Sequence, residues 1–119
     1  MPKLRVYQYP HCSTCRKALK WLDAHGVEFE SIHIVDHPPS KAELREALKG
    51  AGIPLKKLFN TSGGSYREGG FGDRLPNMSE AEAIDALAKD GKLIKRPIVL
   101  GKGIALVGFD EASYEAKLG

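Results

Sequence analysis

The sequence predicts an α/β fold whose mixed sheet is laid down as β-α-β and completed, after a helical insert at about residues 40–92, as β-β-α. Three observations carry this expectation. Residues 4–9 and 27–35 alternate apolar and polar on either side of a helically spaced segment, 13–25. Pro38-Pro39 is followed by two Ser-x-x-Glu signatures, Ser40/Glu43 and Ser79/Glu82, each ahead of an apolar helical repeat. Two short runs suited to strands, 97–100 and 104–107, flank Gly101-Lys102-Gly103.

The first strand, Leu4 to Tyr9, is rich in β-branched and aromatic residues and ends at Pro10. The helix from Ser13 to His25 aligns Cys15, Ala18, Leu19 and Leu22, and Gly26 stops it. With the strand at 27–35 this makes a βαβ unit, whose strands are expected to be parallel with a right-handed crossover. Ser40 and Glu43 open a helix carrying Leu44, Ala47, Leu48 and Ala51. Ser79 and Glu82 open another carrying Ala83, Ile84, Leu87 and Ala88, stopped by Gly91. Between these helices, Asn60 to Ser65 and Glu68 to Gly72 concentrate glycine. That predicts a long loop whose backbone visits positive φ or lies close to another surface, and so a candidate functional loop. The late runs predict a β-hairpin with a three-residue turn, and Asp110 is placed to cap a last helix bearing Ala112, Tyr114 and Leu118.

Composition narrows the class. At 119 residues, 42% hydrophobic and 28% charged, the chain reads as one globular domain, 1–119, rather than a disordered or fibrous one. A chain this long buries roughly two-thirds of its unfolded surface, enough for a core without disulfide or metal staples. No apolar run approaches the ~20 residues that span a bilayer. Met1-Pro2-Lys3-Leu4-Arg5 lacks the apolar stretch of a secretory signal, so a cytoplasmic protein off the membrane is expected. The net charge of +3 is scattered, which does not make the basic stripe of a nucleic-acid binder.

Cys12-Ser13-Thr14-Cys15 stands where the first strand hands over to the first helix. There, unpaired backbone N–H groups and the positive end of the helix dipole favour a thiolate. Cys12 is therefore the expected nucleophile, with a pKa below that of a free thiol. Cys15 is the expected resolving thiol, attacking a mixed disulfide or sulfenic acid on Cys12. A zinc site would need a second ligand cluster, and His11, His25, His33 and His37 form none of recognisable spacing, so no metal is expected. A structural disulfide is out of place in a cytosolic chain, and two inert core thiols fit poorly at a helix start. Arg96-Pro97 opens the third strand, and by itself is compatible with a cis or a trans bond.

Three segments carry a closer likeness: Tyr9-Pro10-His11-Cys12-Ser13-Thr14-Cys15-Arg16-Lys17-Ala18; Asn60-Thr61-Ser62-Gly63 with Ser65-Tyr66-Arg67; and Ile94-Lys95-Arg96-Pro97-Ile98 followed by Leu106-Val107-Gly108-Phe109. Together they resemble the arsenate-reductase-related (ArsC/Spx/MgsR) family, a likeness running through almost the whole chain. The resemblance implies a thioredoxin-like fold, a cis bond before Pro97, Cys12 as nucleophile, and Arg96 beside it. It also implies that Arg96 orients an anionic group and that Pro97, Arg67, Asn60, Ser13 and Thr14 line the substrate. Glutaredoxin-coupled members of the family lack a cysteine at position 15 and surround the oxyanion with three arginines. Only Arg96 of those three is present here; the others fall on Asn60 and Gly108, with Arg67 available as a substitute.

The function implied is a thiol-disulfide oxidoreductase with no tightly bound cofactor, a monomer drawing electrons from glutathione, glutaredoxin or thioredoxin. The Cys-x-x-Cys of Spx-type members implies an alternative, a redox-sensing regulator that binds the RNA polymerase α-subunit. Weak arsenate reduction is a third possibility.

Overall fold

The computed structural model describes residues 3–118; Met1, Pro2 and Gly119, which belong to the expected 1–119 domain, lie outside the described residues. Alternation gives strand β1, Leu4–Gln8, and strand β2, Phe29–His33, joined by helix α1, Ser13–Ala24. The two strands pair in parallel, from Leu4 opposite Phe29 to Gln8 opposite His33. Gly26, at φ +67°, turns the chain out of α1 through a left-handed position that a side chain would disfavour. The face that α1 buries carries Cys15, Ala18, Trp21 and Leu22, so Trp21 takes the core place expected of Leu19, which is half-buried.

Strand β3, Ile98–Gly101, and strand β4, Ile104–Val107, form the hairpin. Gly101 still pairs with Ile104, so the turn is two residues, Lys102 and Gly103, rather than three. The sheet order is β2-β1-β3-β4, with β3 antiparallel to both neighbours. Side chains alternate between its faces. Val6, Val99 and Leu106 pack with Ala18, Trp21 and Leu22 of α1 and with Tyr114 of the last helix, α6, Glu111–Leu118. Tyr7, Ile98, Leu100 and Ala105 pack against the insert. Within α6, Tyr114 is buried as expected, whereas Ala112 is exposed.

Both capping boxes form, opening α2, Lys41–Ala51, and α5, Glu80–Lys89. The glycine-rich segment between them is not a loose loop. It holds two short helices, α3 at Gly64–Glu68 and α4 at Phe71–Arg74, and buries Tyr66, Phe71 and Leu75. Aromatic packing explains this: Phe59, Tyr66 and Phe71 meet at ring centroids 5.6–6.3 Å apart, and such packing outweighs the cost of ordering glycines. Gly70, at φ +66°, supplies the left-handed link between α3 and α4. Gly91 does not end α5 by a left-handed cap; a Cβ there would run into the carbonyl of Ile34, so glycine is required by close backbone contact.

Glu43 does more than complete its box. Its carboxylate also accepts from the Tyr7 hydroxyl, at 2.8 and 2.9 Å, and pairs with Arg5, tying α2 to β1. Burial pushes the Glu43 carboxyl up, but the Ser40 N–H, the Tyr7 hydroxyl and Arg5 together hold it below the ordinary carboxylate value. Burial and the same carboxylate push Tyr7 up to about 12.

Two outcomes follow for stability. Gly91→Ala is expected to cost about 1–3 kcal/mol in urea unfolding, since the clash is with backbone and cannot be relieved by a rotamer. Glu43→Gln is expected to cost about 1–2 kcal/mol at neutral pH. Because the folded-state pKa of Glu43 is lowered, its contribution is present above the unfolded value and fades as pH falls through the folded one. The gap between wild type and Glu43→Gln should therefore close in acid, and a gap constant from neutral to acid pH would contradict this.

Candidate functional site

The site is set by the end of β1. After Gln8 the chain turns through Tyr9-Pro10-His11, and the Tyr9 carbonyl accepts the Cys12 N–H at 3.0 Å. Cys12 then becomes the N-cap of α1, with extended backbone (φ −97°, ψ 116°), and its sulfur takes the capping position usually filled by an oxygen. The Cys15 N–H donates to Cys12 Sγ at 3.4 Å. No acidic residue stands in the first turn of α1, and Arg16 and Lys17 are exposed there.

The two thiols are driven apart. Cys12 is half-buried and Cys15 fully buried. Burial alone raises the Cys12 thiol. The Cys15 backbone N–H, the Cys15 thiol and the Arg96 guanidinium outweigh it, and the result lies below the ordinary thiol value. Burial pushes Cys15 up to about 12; a backbone hydrogen bond from Tyr9 opposes this, and the neighbouring Cys12 sulfur adds to it. Of the two, Cys12 therefore ionises the more readily, and Cys15 holds its proton.

Arg96 approaches from the segment before β3. Its guanidinium carbon lies 4.8 Å above the Tyr9 ring, and Nη1 donates to the Lys92 carbonyl at 3.5 Å. The Arg96–Pro97 bond is cis and Pro97 is buried. Asn60 is tied to this segment by its backbone: Phe59 bridges Ile94, Asn60 N donates to the Leu93 carbonyl at 2.8 Å, and Lys95 N donates to the Leu58 carbonyl at 2.8 Å. Its side chain packs over Gly63.

Gly108 closes the other side, its N–H donating to the Pro97 carbonyl at 2.8 Å with φ at +80°. The Tyr114 hydroxyl donates to the Gly108 carbonyl, also at 2.8 Å, so α6 braces the segment that carries Pro97. Ser13 and Thr14 belong to the first turn of α1, between the two cysteines. Arg67 is directed elsewhere: it is exposed, and its guanidinium donates to the Ser62 carbonyl at 3.3 Å, within its own segment.

Tyr9 carries no role in the sequence expectations beyond its place in a motif, yet it touches both cysteines and Arg96. Its ring stands edge-on to His11, at 5.4 Å, and to His33 on β2, at 5.5 Å, besides lying under Arg96. The sequence signal that could have marked it is an aromatic residue just before the Pro-x-Cys turn. Among the described residues, no three His, Cys, Asp or Glu side chains cluster as a metal would need, and no helix is long and apolar enough to cross a membrane.

The ArsC family model matches residues 7–117, from near the end of β1 to the last turn of α6. The chain belongs to the ArsC family. It is 50% identical over 112 residues to protein YusI of Bacillus subtilis (strain 168), covering 94% of this chain and 95% of that one. It is 31% identical over 119 residues to an arsenate reductase of Neisseria meningitidis serogroup A / serotype 4A, covering 99% and 100%. It is also 27% identical over 108 residues to the regulatory protein MgsR of the same Bacillus, covering 91% and 84%. A crystal structure of a putative ArsC family related protein from Bacteroides fragilis superposes with a TM-score of 0.92 at 44% identity, covering 97% of each chain. The architecture is accordingly the thioredoxin-like α/β fold of ArsC-like structures, with a mixed four-stranded sheet.

An ArsC-family chain with glycine at 108 has a local reason to keep it. At φ +80° any other residue is strained, so an arginine could replace Gly108 only at a backbone cost.

The thiol asymmetry predicts a mapping result. Brief treatment of the reduced protein with iodoacetamide at neutral pH should label Cys12 and leave Cys15 unmodified, as read by peptide mass. Labelling of Cys15 at a comparable rate would contradict the arrangement.

Proposed function

We propose that this ArsC-family protein is a thiol-disulfide oxidoreductase in which Cys12 attacks, Cys15 resolves and Arg96 steadies the negative charge. The observation that carries the reading is the Cys12 sulfur at the α1 N-cap, accepting the Cys15 N–H beside Arg96.

The Cys12 thiolate attacks one sulfur of a substrate disulfide, forming a mixed disulfide and expelling the other sulfur as a thiolate. Cys12 then no longer bears a charge, and its sulfur no longer holds the proton on Cys15. Cys15 loses its proton to the departing thiolate, attacks Cys12 Sγ and expels the second substrate sulfur as a thiolate, which takes its proton from solvent. Starting from the Cys12 thiolate and the Cys15 thiol, the protein gives up two electrons and one proton, and the internal disulfide is reduced again by two equivalents of a donor thiol.

Glutathione, glutaredoxin and thioredoxin are the candidate donors. Arg96, with Asn60 and Pro97 beside it, would receive an anionic group such as a glutathione carboxylate, and Ser13 and Thr14 would face the substrate at the first turn. Arg67 has no part in the reading, given its contact with Ser62.

The relative named regulatory protein MgsR favours a second reading, in which the same thiol pair reports oxidant to a partner such as the RNA polymerase α-subunit. Disulfide-dependent retention of that subunit, with no turnover in the coupled assays, would favour the regulator.

The reductase reading predicts turnover of a small disulfide in a coupled glutathione or thioredoxin assay. Cys12→Ser should abolish it. Cys15→Ser should stop the cycle after one event and accumulate a mixed disulfide visible by intact mass. Undiminished turnover in Cys12→Ser would refute the assignment. For arsenate, oxidation of donor that depends on arsenate is expected to be weak, because the guanidinium of Arg96 acts without the other two of the set and each charge-assisted hydrogen bond is worth about 1.5–3 kcal/mol.

A further inference from the structure

We propose that Tyr9 is a positioning residue that holds the Arg96 guanidinium in register with the Cys12 sulfur. The inference rests on the reading of Cys12 as the attacking thiol. It comes from the way one residue holds both members of the pair: its carbonyl fixes the Cys12 backbone N–H at 3.0 Å, and its ring face carries Arg96 at 4.8 Å.

Arg96 has little else to hold it. It is half-exposed, and apart from Cys12 itself its hydrogen-bond partner is the Lys92 carbonyl, at 3.5 Å, the long limit for such a bond. A long cationic side chain without a fixed partner spreads over many rotamers, and its charge is then diluted into solvent. The ring face removes that freedom, since a guanidinium stacks flat on an aromatic surface.

The ring is itself anchored. His11 and His33 meet its edges at interplanar angles of 67° and 84°, and His33 is held by the Asp36 N–H to its Nδ1 at 3.3 Å. Loop, β1, β2 and the segment before β3 therefore meet on this ring, and the cation they place serves the sulfur at the start of α1. The charged and titratable groups around Cys12 are Arg96, the Cys15 thiol, His11 and the exposed Arg16 and Lys17 of the first turn, with His33 and Asp36 behind the ring.

The test uses the full chain and the pH dependence of Cys12 alkylation, with iodoacetamide as a neutral probe and iodoacetate as an anionic one. Tyr9→Phe keeps the ring face and should keep the wild-type midpoint and the wild-type preference between probes. Tyr9→Leu should move the midpoint toward that of Arg96→Gln and lower the ratio of iodoacetate to iodoacetamide rates about threefold or more, the size expected of a cation–π contact. In the Arg96→Gln background Tyr9→Leu should add nothing further. Tyr9→Met serves in the same way if Tyr9→Leu does not give the wild-type circular dichroism.

A folded Tyr9→Leu or Tyr9→Met chain with the wild-type midpoint and probe ratio would overturn the proposal. So would an equal loss in the Arg96→Gln background, which would show that the ring acts by another route. If the unmodified chain itself shows an ordinary thiol midpoint, the attacking role of Cys12 fails, and that result is distinct from a failure confined to Tyr9.

Discussion

The Cys15 N–H pointing at the Cys12 sulfur is the contact around which the rest of the molecule is arranged. A helix start leaves backbone N–H groups without partners, and most helices satisfy them with an oxygen. Here a sulfur does so, and the dipole that stabilises the cap stabilises a thiolate too. For that contact to hold, α1 must begin at Ser13, directly after the turn that follows β1. The parallel β1–β2 pairing and the burial of Ala18, Trp21 and Leu22 fix α1 across the sheet. The helix start that holds the thiols and the packing of α1 on the sheet therefore depend on each other.

A second set of constraints brings Arg96 to the sulfur from the far end of the chain. The bridge between Phe59 and Ile94, with its flanking hydrogen bonds, pins the approach to Pro97 from the insert. Gly108 and Tyr114 pin it from the other side. The insert is thus part of the scaffold of the site. Its aromatic cluster of Phe59, Tyr66 and Phe71 is what makes a glycine-rich stretch rigid enough to serve.

Much of this is legible in the sequence where the signal is local. Capping boxes, the glycine after α1 and the alternation in β1 each encode a short-range preference, so the helix starts and the βαβ unit can be read directly. The place of the cysteine pair is legible for the same reason, because it follows from where α1 begins. Signals that depend on distant partners are not. Residues 60–72 read as a loop because glycine count says nothing of which surface Tyr66 and Phe71 will meet. Gly91 reads as a helix stop although its role is contact with the backbone at Ile34. Tyr9 goes unremarked because its partners His33 and Arg96 come together only through the sheet, and Arg67 attracts notice for its charge although the fold turns it to Ser62.

Everything in the proposed chemistry turns on the fold lowering the pKa of Cys12 below that of an ordinary thiol. The most direct measurement is the ultraviolet absorbance of the thiolate, titrated in a Cys15→Ser chain and again with Arg96→Gln added. Cys12 should ionise below the ordinary thiol range in the first chain and move upward in the second. Ionisation at or above the free-thiol value, with no response to Arg96→Gln, would contradict it.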